Sequence, residues 1–383
     1  MVWGKIRHVL GISRETHWTS GDYRKHSPQR RALIVGINKY HSKTIANLKG
    51  CVPDAASMAR VLSTHQRGSA SSAHKDGNYA CELLTDTSGG SITAGLLLQK
   101  WKDLFDDDSQ HDKKFRGHAI FYFSGHGTVD ETGGYLVMSD SDPMAQKHGF
   151  KMDDIIGLAN KYIHIPGKRE GAESIVIIID ACKSGNAGNL AYGEGYTSLR
   201  QGVSILSASL PRQDAFENTG GGVFTQLVIS ALEGGAANVL GDVSPASIYG
   251  YAEAAMGPYM QRPMYKTVSS NWESLRQCMP AVELDDLLAL PKYFPKPEHQ
   301  HPFDKSYEAE FKEFAKPEHV TIFLLFKRYQ VAGLLEPVKE LMPEKDKENN
   351  LYHAAEHSVP IRLTPLGQFY WRLVKSGAIN KRN

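Results

Sequence analysis

Cys182 and His126 are the residues of this chain best suited to nucleophilic chemistry. A thiolate is a strong nucleophile, and an imidazole can take up and return a proton near neutral pH. Together they could attack an acyl carbon and then protonate a leaving group. Cys182 follows the run Ser174-Ile-Val-Ile-Ile-Ile-Asp180, and a small, polar, glycine-containing stretch comes after it. His126 lies in Ser124-Gly-His-Gly127, directly after the apolar run Ala119 to Phe123. Each residue thus sits where a buried strand gives way to a turn, and in open α/β sheets ligands bind where strands end. A lone Cys there is more often a small packing residue, and a lone His an ordinary turn residue. Two strand ends carrying the two halves of one reaction outweigh both readings.

The elements that must position this pair read as alternating strands and helices. Ile175 to Ile179 are β-branched and apolar without a break, the pattern of a strand buried on both faces. Ala32 to Ile37 and Val203 to Ala208 are further buried strands, with shorter ones at Cys81 to Leu84 and Gly134 to Met138. A helix is expected to start near Asp54, which could cap it. Other helices are expected over Ile92 to Phe105, from Asp153 and Asp154 through Tyr162, and over Val223 to Leu232. Asp106 to Asp108 read as a solvated loop that ends the helix before them, and 63–80 as an exposed polar loop. The expected fold class is α/β, a mostly parallel sheet with helices on both faces.

Ser124-Gly-His-Gly127 and Asp180-Ala-Cys-Lys-Ser-Gly185 resemble the two catalytic motifs of the caspase-like cysteine peptidases, and of metacaspases in particular. A catalytic His roughly 50 residues before its Cys is also the caspase arrangement. Arg31 to Tyr40 is similar to the family's first strand, and Leu48-Lys-Gly-Cys-Val-Pro-Asp-Ala55 to the loop after it. Gly222-Val-Phe-Thr-Gln226 and Gln261-Arg-Pro-Met264 are similar to later landmarks. The resemblance covers residues 30–280. Lys183 departs from the His usual in metacaspases, at a position outside the dyad.

That resemblance implies peptide-bond hydrolysis through a thioester, with Cys182 as nucleophile and His126 as its acid–base partner. The amides of Gly127 and Cys182 would stabilise the oxyanion, each such donor being worth ~3–4 kcal/mol. No third catalytic residue is evident, and the chemistry requires no cofactor. The resemblance also places Asp54, Asp180, Cys51 and Ser124 around the pocket for the residue preceding the cut. Two carboxylates there would pair with Arg or Lys. Caspases that cut after Asp need cationic residues instead, and Leu48 stands near where one of their arginines is expected. Plainer roles remain open: Asp54 as a helix cap, and Asp180 as an organiser of the turn. Calcium as an activator is a further expectation, through Asp140 or Asp142 with Asp153 and Asp154; Asn189 stands near where another acidic ligand would fall. Acids at a helix start also favour the helix dipole without metal.

Composition bounds the rest. The chain has 383 residues, with 41% hydrophobic and 22% charged content, so a soluble globular protein with two domains is the default. No apolar run approaches the ~18–20 residues that span a bilayer, and Lys5 and Arg7 interrupt the N-terminal apolar stretch, against a secretory signal. The 4 cysteines are dispersed, against zinc and disulfide frameworks. A catalytic thiol needs a reducing compartment, so a cytoplasmic location is expected.

Residues 1–29 form a basic arm, readable as a pro-segment or as a solvated tail. The caspase-like domain is expected over 30–280, a Pro-rich linker over 281–305, and a mainly helical unit over 306–383. Val320 to Leu335 has amphipathic helical spacing. Thr364-Pro365 reads as an N-cap and first helical residue, Leu366, Phe369, Tyr370, Leu373 and Val374 as an apolar stripe, and Gly377 as the residue after the helix. Leu363-Thr-Pro-Leu-Gly-Gln-Phe-Tyr-Trp371 resembles part of a winged-helix domain. Lys and Arg balance Asp and Glu over 281–383, whereas nucleic-acid binding needs a basic face, so a regulatory protein is the expected partner. Control as a zymogen is expected, with self-cleavage after Arg200 at the far end of the Gly-rich loop 183–202. The class alternative is a catalytically idle adaptor of the same fold.

Overall fold

The structure is a computed structural model. It describes residues 29–66, 77–88, 90–105, 115–131, 133–165, 171–183, 198–208, 222–257, 262–268, 273–346 and 350–380, with the backbone alone at Ser88, Cys182 and Lys183. The basic arm up to residue 28, residues 67–76 of the first polar loop, Asp106 to Asp108, Asn189 with most of the loop 183–202, and Gln261 lie outside the described residues. The chain divides into two compact units, Met1–Ala237 with Asp242–Cys278, and Asn238–Gly241 with Met279–Asn383.

In the first unit, β1 (Arg30–Gly36) leads to α1 (Cys51–Leu62), β2 (Ala80–Thr85) to α2 (Ala94–Phe105), and β3 (His118–Asp130) to the short strands β4 (Gly133–Leu136) and β5 (Phe150–Lys151). Then come α3 (Met152–Tyr162), β6 (Ser174–Lys183), β7 (Val203–Ser207), α4 (Val223–Ser230), β8 (Asp242–Val243), α5 (Pro245–Met256), β9 (Met264–Val268) and β10 (Arg276–Gln277). The main sheet runs β2-β1-β3-β6-β7-β9. Its first five strands are mutually parallel, and β9 pairs antiparallel with β7. β4 and β5 extend it from the far half of β3, and β8 and β10 form a separate two-stranded ribbon.

Strand alternation divides the core in two. Leu33, Val35, Ile175, Ile177 and Ile179 face one cluster, with Leu97, Trp101 and Leu104 of α2 and Ile155, Ile156 and Ala159 of α3. Ala32, Ile34, Val176 and Ile178 face the other, with Ala55, Met58 and Val61 of α1, Phe224 and Val228 of α4, and Ile248 of α5. The unbroken Ile run is therefore needed on both faces, and the expected helix-covered parallel sheet is what the sequence forms.

The helix expected to begin at a capping Asp54 begins at Cys51, with Gly50 at its N-cap and no side-chain cap bond. Helix and strand also approach closely here. A Cβ on Gly36 would lie 2.5 Å from the Cys51 carbonyl oxygen and 2.7 Å from the Ala55 Cβ. Asp54 consequently sits inside the first turn, buried, with its carboxylate turned to other partners.

The second unit contains α6 (Leu284–Leu288), α7 (Leu290–Tyr293), β11 (Gln300–His301), α8 (Pro317–Val331), β12 (Leu335–Pro337), α9 (Leu351–Glu356), β13 (Ile361–Leu363) and α10 (Pro365–Lys375). Its strands form the antiparallel sheet β11-β13-β12. The stretch 281–305, expected as a linker, is instead part of this folded unit. Pro291 sits in the first turn of α7, and Leu287, Leu290, Phe294 and Phe303 are buried in the core with Phe326 and Tyr329. The prolines shape turns between aromatic core residues instead of spacing two domains. The Trp371 indole N–H donates to the Phe294 carbonyl at 2.6 Å.

Thr364 caps α10 by accepting from the Gly367 amide at 3.1 Å, with Pro365 following and Gly377 in the left-handed region at φ 76°. The expected apolar stripe is rotated. Tyr370, Trp371 and Val374 pack on the core, while Leu366 and Phe369 are 45% and 53% exposed. Among the described residues, no helix is long and apolar enough to cross a membrane.

Candidate active site

His126 does not lie in a turn. β3 continues through Ser124-Gly-His-Gly127 to Asp130, because this half finds partners on both sides. On one side β6 pairs with it as far as Lys183; on the other β4 folds back against Gly127 to Asp130. Cys182 likewise lies on the extension of β6, not past its end. The two strands are parallel and in register, and His126 is the direct partner of Cys182. Neighbouring strands are about 4.8 Å apart, so the two catalytic candidates stand side by side on the backbone.

The His126 ring is held from both ends of the β1–α1 connection. Its Nε2 is 2.8 Å from the Ala46 carbonyl oxygen, and a carbonyl only accepts, so Nε2 carries the hydrogen. The proton-accepting nitrogen is then Nδ1, which is buried and has no hydrogen-bond partner among the described residues. The Tyr40 hydroxyl accepts from the His126 amide at 2.9 Å, and the two rings are in contact, with centroids 5.0 Å apart. The backbone carbonyl of Ala46 thus fills the orienting role for which no side chain was evident in the sequence.

Asp54 and Asp180 converge on one glycine. The Gly222 amide donates to Asp54 Oδ2 at 2.8 Å. A Cβ on Gly222 would lie 2.2 Å from Asp180 Oδ2, so this close approach depends on the missing side chain. Thr225 holds Asp180 through its hydroxyl at 2.6 Å and its amide at 3.1 Å. The Tyr122 hydroxyl lies 2.7 Å from Thr225 Oγ1. Since the Thr225 hydroxyl gives its hydrogen to Asp180, Tyr122 is the donor to Thr225.

Both carboxylates are buried, and among the described residues neither forms an ion pair with Lys or Arg. Burial pushes the Asp54 carboxyl up to about 6; the Gly222 amide holds it down, and the charge of Asp180 adds to the rise. Burial also raises Asp180, against the two hydrogen bonds from Thr225. Among the described residues the pair is acidic, desolvated and without a countercharge. A guanidinium or ammonium entering beside it would supply one.

The other expected pocket residues gather at the same edge. Ser124 is buried and is the register partner of both Gly36 and Asp180. Cys51 is buried at the start of α1, where its amide donates to Asn38 Oδ1 at 3.0 Å. Leu48 packs against the core, its amide donating to the Asn38 carbonyl at 2.8 Å. Gly127 is a strand residue in register with Leu136 and Lys183. These residues lie at or just after the end of β1, or on the part of β3 level with and beyond that end, beside the point at which strand order reverses between β1 and β3.

The four aspartates expected as calcium ligands have the following surroundings. Asp140 pairs with Lys147, and Asp142 caps a short turn by accepting from the Met144 amide at 3.0 Å. Asp153 lies 3.7 Å from the Lys151 ammonium, and Asp154 is exposed at the start of α3. Calcium wants six to eight oxygens, and among the described residues these four do not form even a three-donor group.

Gly222, Thr225, Tyr122, Tyr40 and Ala46 were not singled out individually from sequence. Gly222 and Thr225 were visible only as parts of a family landmark, and the Ala46 contribution is a backbone atom that no residue type announces.

The caspase-domain family model matches residues 29–270, and the chain belongs to that family. No curated protein matches it. Among solved structures it is similar to a structural-genomics protein from Geobacter sulfurreducens, with 15% identity, a TM-score of 0.45, and coverage of 66% of this chain and 98% of that one. It is also similar to caspase-1 from Spodoptera frugiperda, with 13% identity, a TM-score of 0.41, and coverage of 66% and 92%.

Proposed function

We propose that this protein is a metacaspase-like cysteine endopeptidase that cuts after Arg or Lys. The observation that carries the reading is the pair of buried carboxylates meeting at Gly222, beside the strands that hold His126 and Cys182. The Cys182 thiol passes its proton to Nδ1 of His126, and its sulfur bonds to the scissile carbonyl carbon. The tetrahedral oxyanion is met by the amides of Gly127 and Cys182. Collapse breaks the C–N bond, the amine takes the proton from His126, and a thioester remains. Water then gives its proton to His126 and adds to the thioester, which releases the acid and the thiol. The residue preceding the cut places its cation between Asp54 and Asp180.

The second unit serves as a docking module. Leu366 and Phe369 present apolar surface on α10, and the near-zero net charge of 281–383 favours a protein partner over nucleic acid. Control by this partner, or by self-cleavage in the Gly-rich stretch after Cys182, fits a peptidase whose basic specificity would otherwise be destructive.

Mass spectrometry of a peptide library cut by the purified protein tests the specificity. Cuts following Arg and Lys are expected; cuts following Asp would overturn the pocket assignment. Failure of a peptidyl-arginine chloromethylketone to label Cys182 would identify an idle adaptor instead.

A further inference from the structure

The second unit carries a side-chain cluster that the peptidase reading does not use. Asp346, His353 and His357 each offer a donor atom, and these atoms lie within 4.8 Å of one another. His353 and His357 are four residues apart on α9 and its C-cap, so they rise from one face of one turn. His357 Nε2 lies 2.8 Å from Asp346 Oδ2. Glu356 stands beside both rings, its Oε2 3.1 Å from His353 Nδ1 and 3.7 Å from His357 Nε2. Lys345 also approaches, 4.0 Å from Asp346 Oδ2, but its side chain is 80% exposed and can move away.

The backbone fixes these donors. The Ser358 amide donates to the Ala355 carbonyl and the Val359 amide to the Ala354 carbonyl, closing the end of α9 with Ser358 in the left-handed region at φ 54°. This arrangement holds His357 at the cap. Asp346 is set by a short turn in which its amide donates to the Pro343 carbonyl at 2.9 Å. The Asn350 side chain fixes the start of α9 by accepting from the Tyr352 amide at 2.9 Å.

We propose that Asp346, His353 and His357 bind a zinc-class divalent transition metal, with Glu356 placed to complete or steady the ligand set. Two imidazoles and a carboxylate suit zinc, whereas calcium and magnesium prefer oxygen alone. The spacing His353-Ala-Ala-Glu-His357 is also that of the two histidines of one class of zinc peptidases. The shared physics is two imidazoles on one helix face. Zinc bonds of ~2.0–2.1 Å require donors closer together than the widest present separation, a movement of about an ångström for partly buried side chains at the surface of the unit. The bound ion would tie the turn at Glu344–Asp346 to α9 and so stiffen this edge of the second unit.

Calorimetric titration of zinc chloride into chelator-treated full-length Cys182→Ala protein tests the site, since that variant removes self-cleavage and one competing thiol. One zinc per chain is expected, with a rise in melting temperature on binding. Asp346→Asn keeps the shape of the side chain, and with His353→Ala and His357→Ala should weaken binding by more than about tenfold, the loss that even outer partners of metal sites cause. Circular dichroism establishes that each variant is folded. Absence of zinc uptake, or parental affinity in Asp346→Asn and in the double histidine variant, would overturn the proposal and leave the cluster as two His–carboxylate pairs. Should the double variant fail to fold, Asp346→Asn decides alone.

Discussion

Thr225 holds Asp180 twice, through its hydroxyl at 2.6 Å and its amide at 3.1 Å. The hydroxyl also accepts from Tyr122, so one side chain satisfies two buried polar groups. Thr225→Val keeps the shape and the amide bond but removes the hydroxyl. It should lower stability by ~1–3 kcal/mol, the cost of leaving buried polar groups unpaired. It should also raise KM for an Arg-containing peptide more than it lowers kcat, because the proposed role of Asp180 is to pair with the substrate's cation and not with the reacting bond. Thr225→Ser should restore both. Thermal unfolding and steady-state kinetics read the outcome, and a valine variant with wild-type KM and stability would remove the carboxylate support.

Gly222→Ala should separate the pocket from the fold. The backbone at Gly222, φ −69° and ψ 130°, suits alanine, so no conformational strain is expected. The new methyl would nevertheless meet the Asp180 carboxylate. The variant should remain folded by circular dichroism and lose most cleavage after Arg. Unchanged kcat/KM would show that the backbone at Gly222 shifts readily enough to admit a side chain.

Removing either member of the proposed dyad should abolish or sharply reduce turnover. Cys182→Ala removes the nucleophile, and His126→Ala should cost ~10²–10⁴-fold in kcat, the usual contribution of a positioned acid–base group. Both variants should bind substrate as the parent does. Substantial peptide hydrolysis by purified Cys182→Ala would displace Cys182 from its role.

Asp54 gives a pH signature distinct from that of the dyad. Its folded pKa is raised to about 6, so below that value the carboxyl is neutral and offers no charge to a guanidinium. A bound cation favours the ionised form, so binding expels a proton at low pH and affinity rises with pH until it levels above about 6. Benzamidine affinity for Cys182→Ala protein should follow that curve, and Asp54→Asn should bind more weakly and lose the part of the rise that Asp54 contributes, Asp180 being left to titrate alone. The sign for stability is opposite. A carboxyl whose folded pKa lies above its unfolded value favours the fold while protonated and loses that contribution as pH rises from about 4 through about 6. Asp54→Asn should therefore melt at a higher temperature than the parent at pH 8, with a smaller difference at pH 5. A pH-independent parent affinity would show that Asp54 does not face the ligand.

What could be read from sequence divides along the range of the forces involved. The Ile175 to Ile179 run, the Ala119 to Phe123 run and the Thr364-Pro365 cap are local signals, and each forms the expected element. Ser124-Gly-His-Gly127 reads as a turn because glycine is a turn former; it stays extended because β4 and β6 supply distant partners. Asp54 could be taken for a cap from its neighbours alone, whereas its actual partner, Gly222, is 168 residues away. Composition likewise misleads at 281–305, where prolines suggest a linker but Phe294 and Phe303 are buried in the core. Periodicity finds an apolar stripe on α10 without saying which edge of it is covered, so Leu366 and Phe369 stay outside.

Arg200 offers the last test, of control. It lies near the end of the Gly-rich stretch 183–202, and its only basic companion there, Lys183, adjoins the proposed nucleophile. A peptidase that cuts after basic residues would have Arg200 as its internal substrate. The structure ties this residue down: its amide donates to Asn160 Oδ1 at 2.8 Å, and its guanidinium to the Asn160 carbonyl at 2.9 Å. The Asn160 side-chain amide in turn donates to the Ser198 carbonyl at 2.8 Å. A protease needs an extended, released segment, so this anchor opposes cleavage as long as it holds. Asn160→Ala removes the two side-chain bonds and leaves the carbonyl contact. It should therefore speed the appearance of a fragment ending at Arg200, followed over time by intact-mass spectrometry. Arg200→Ala should stop that cut, and adding Cys182→Ala to Asn160→Ala should stop it too, since the reaction is the protein's own. The fragments should stay associated, because β6 and β7 pair along five residues on either side of the cut. If Asn160→Ala protein stays whole while cutting Arg peptides at the parental rate, activation does not pass through Arg200, and the apolar face of α10 becomes the place to seek an activating partner.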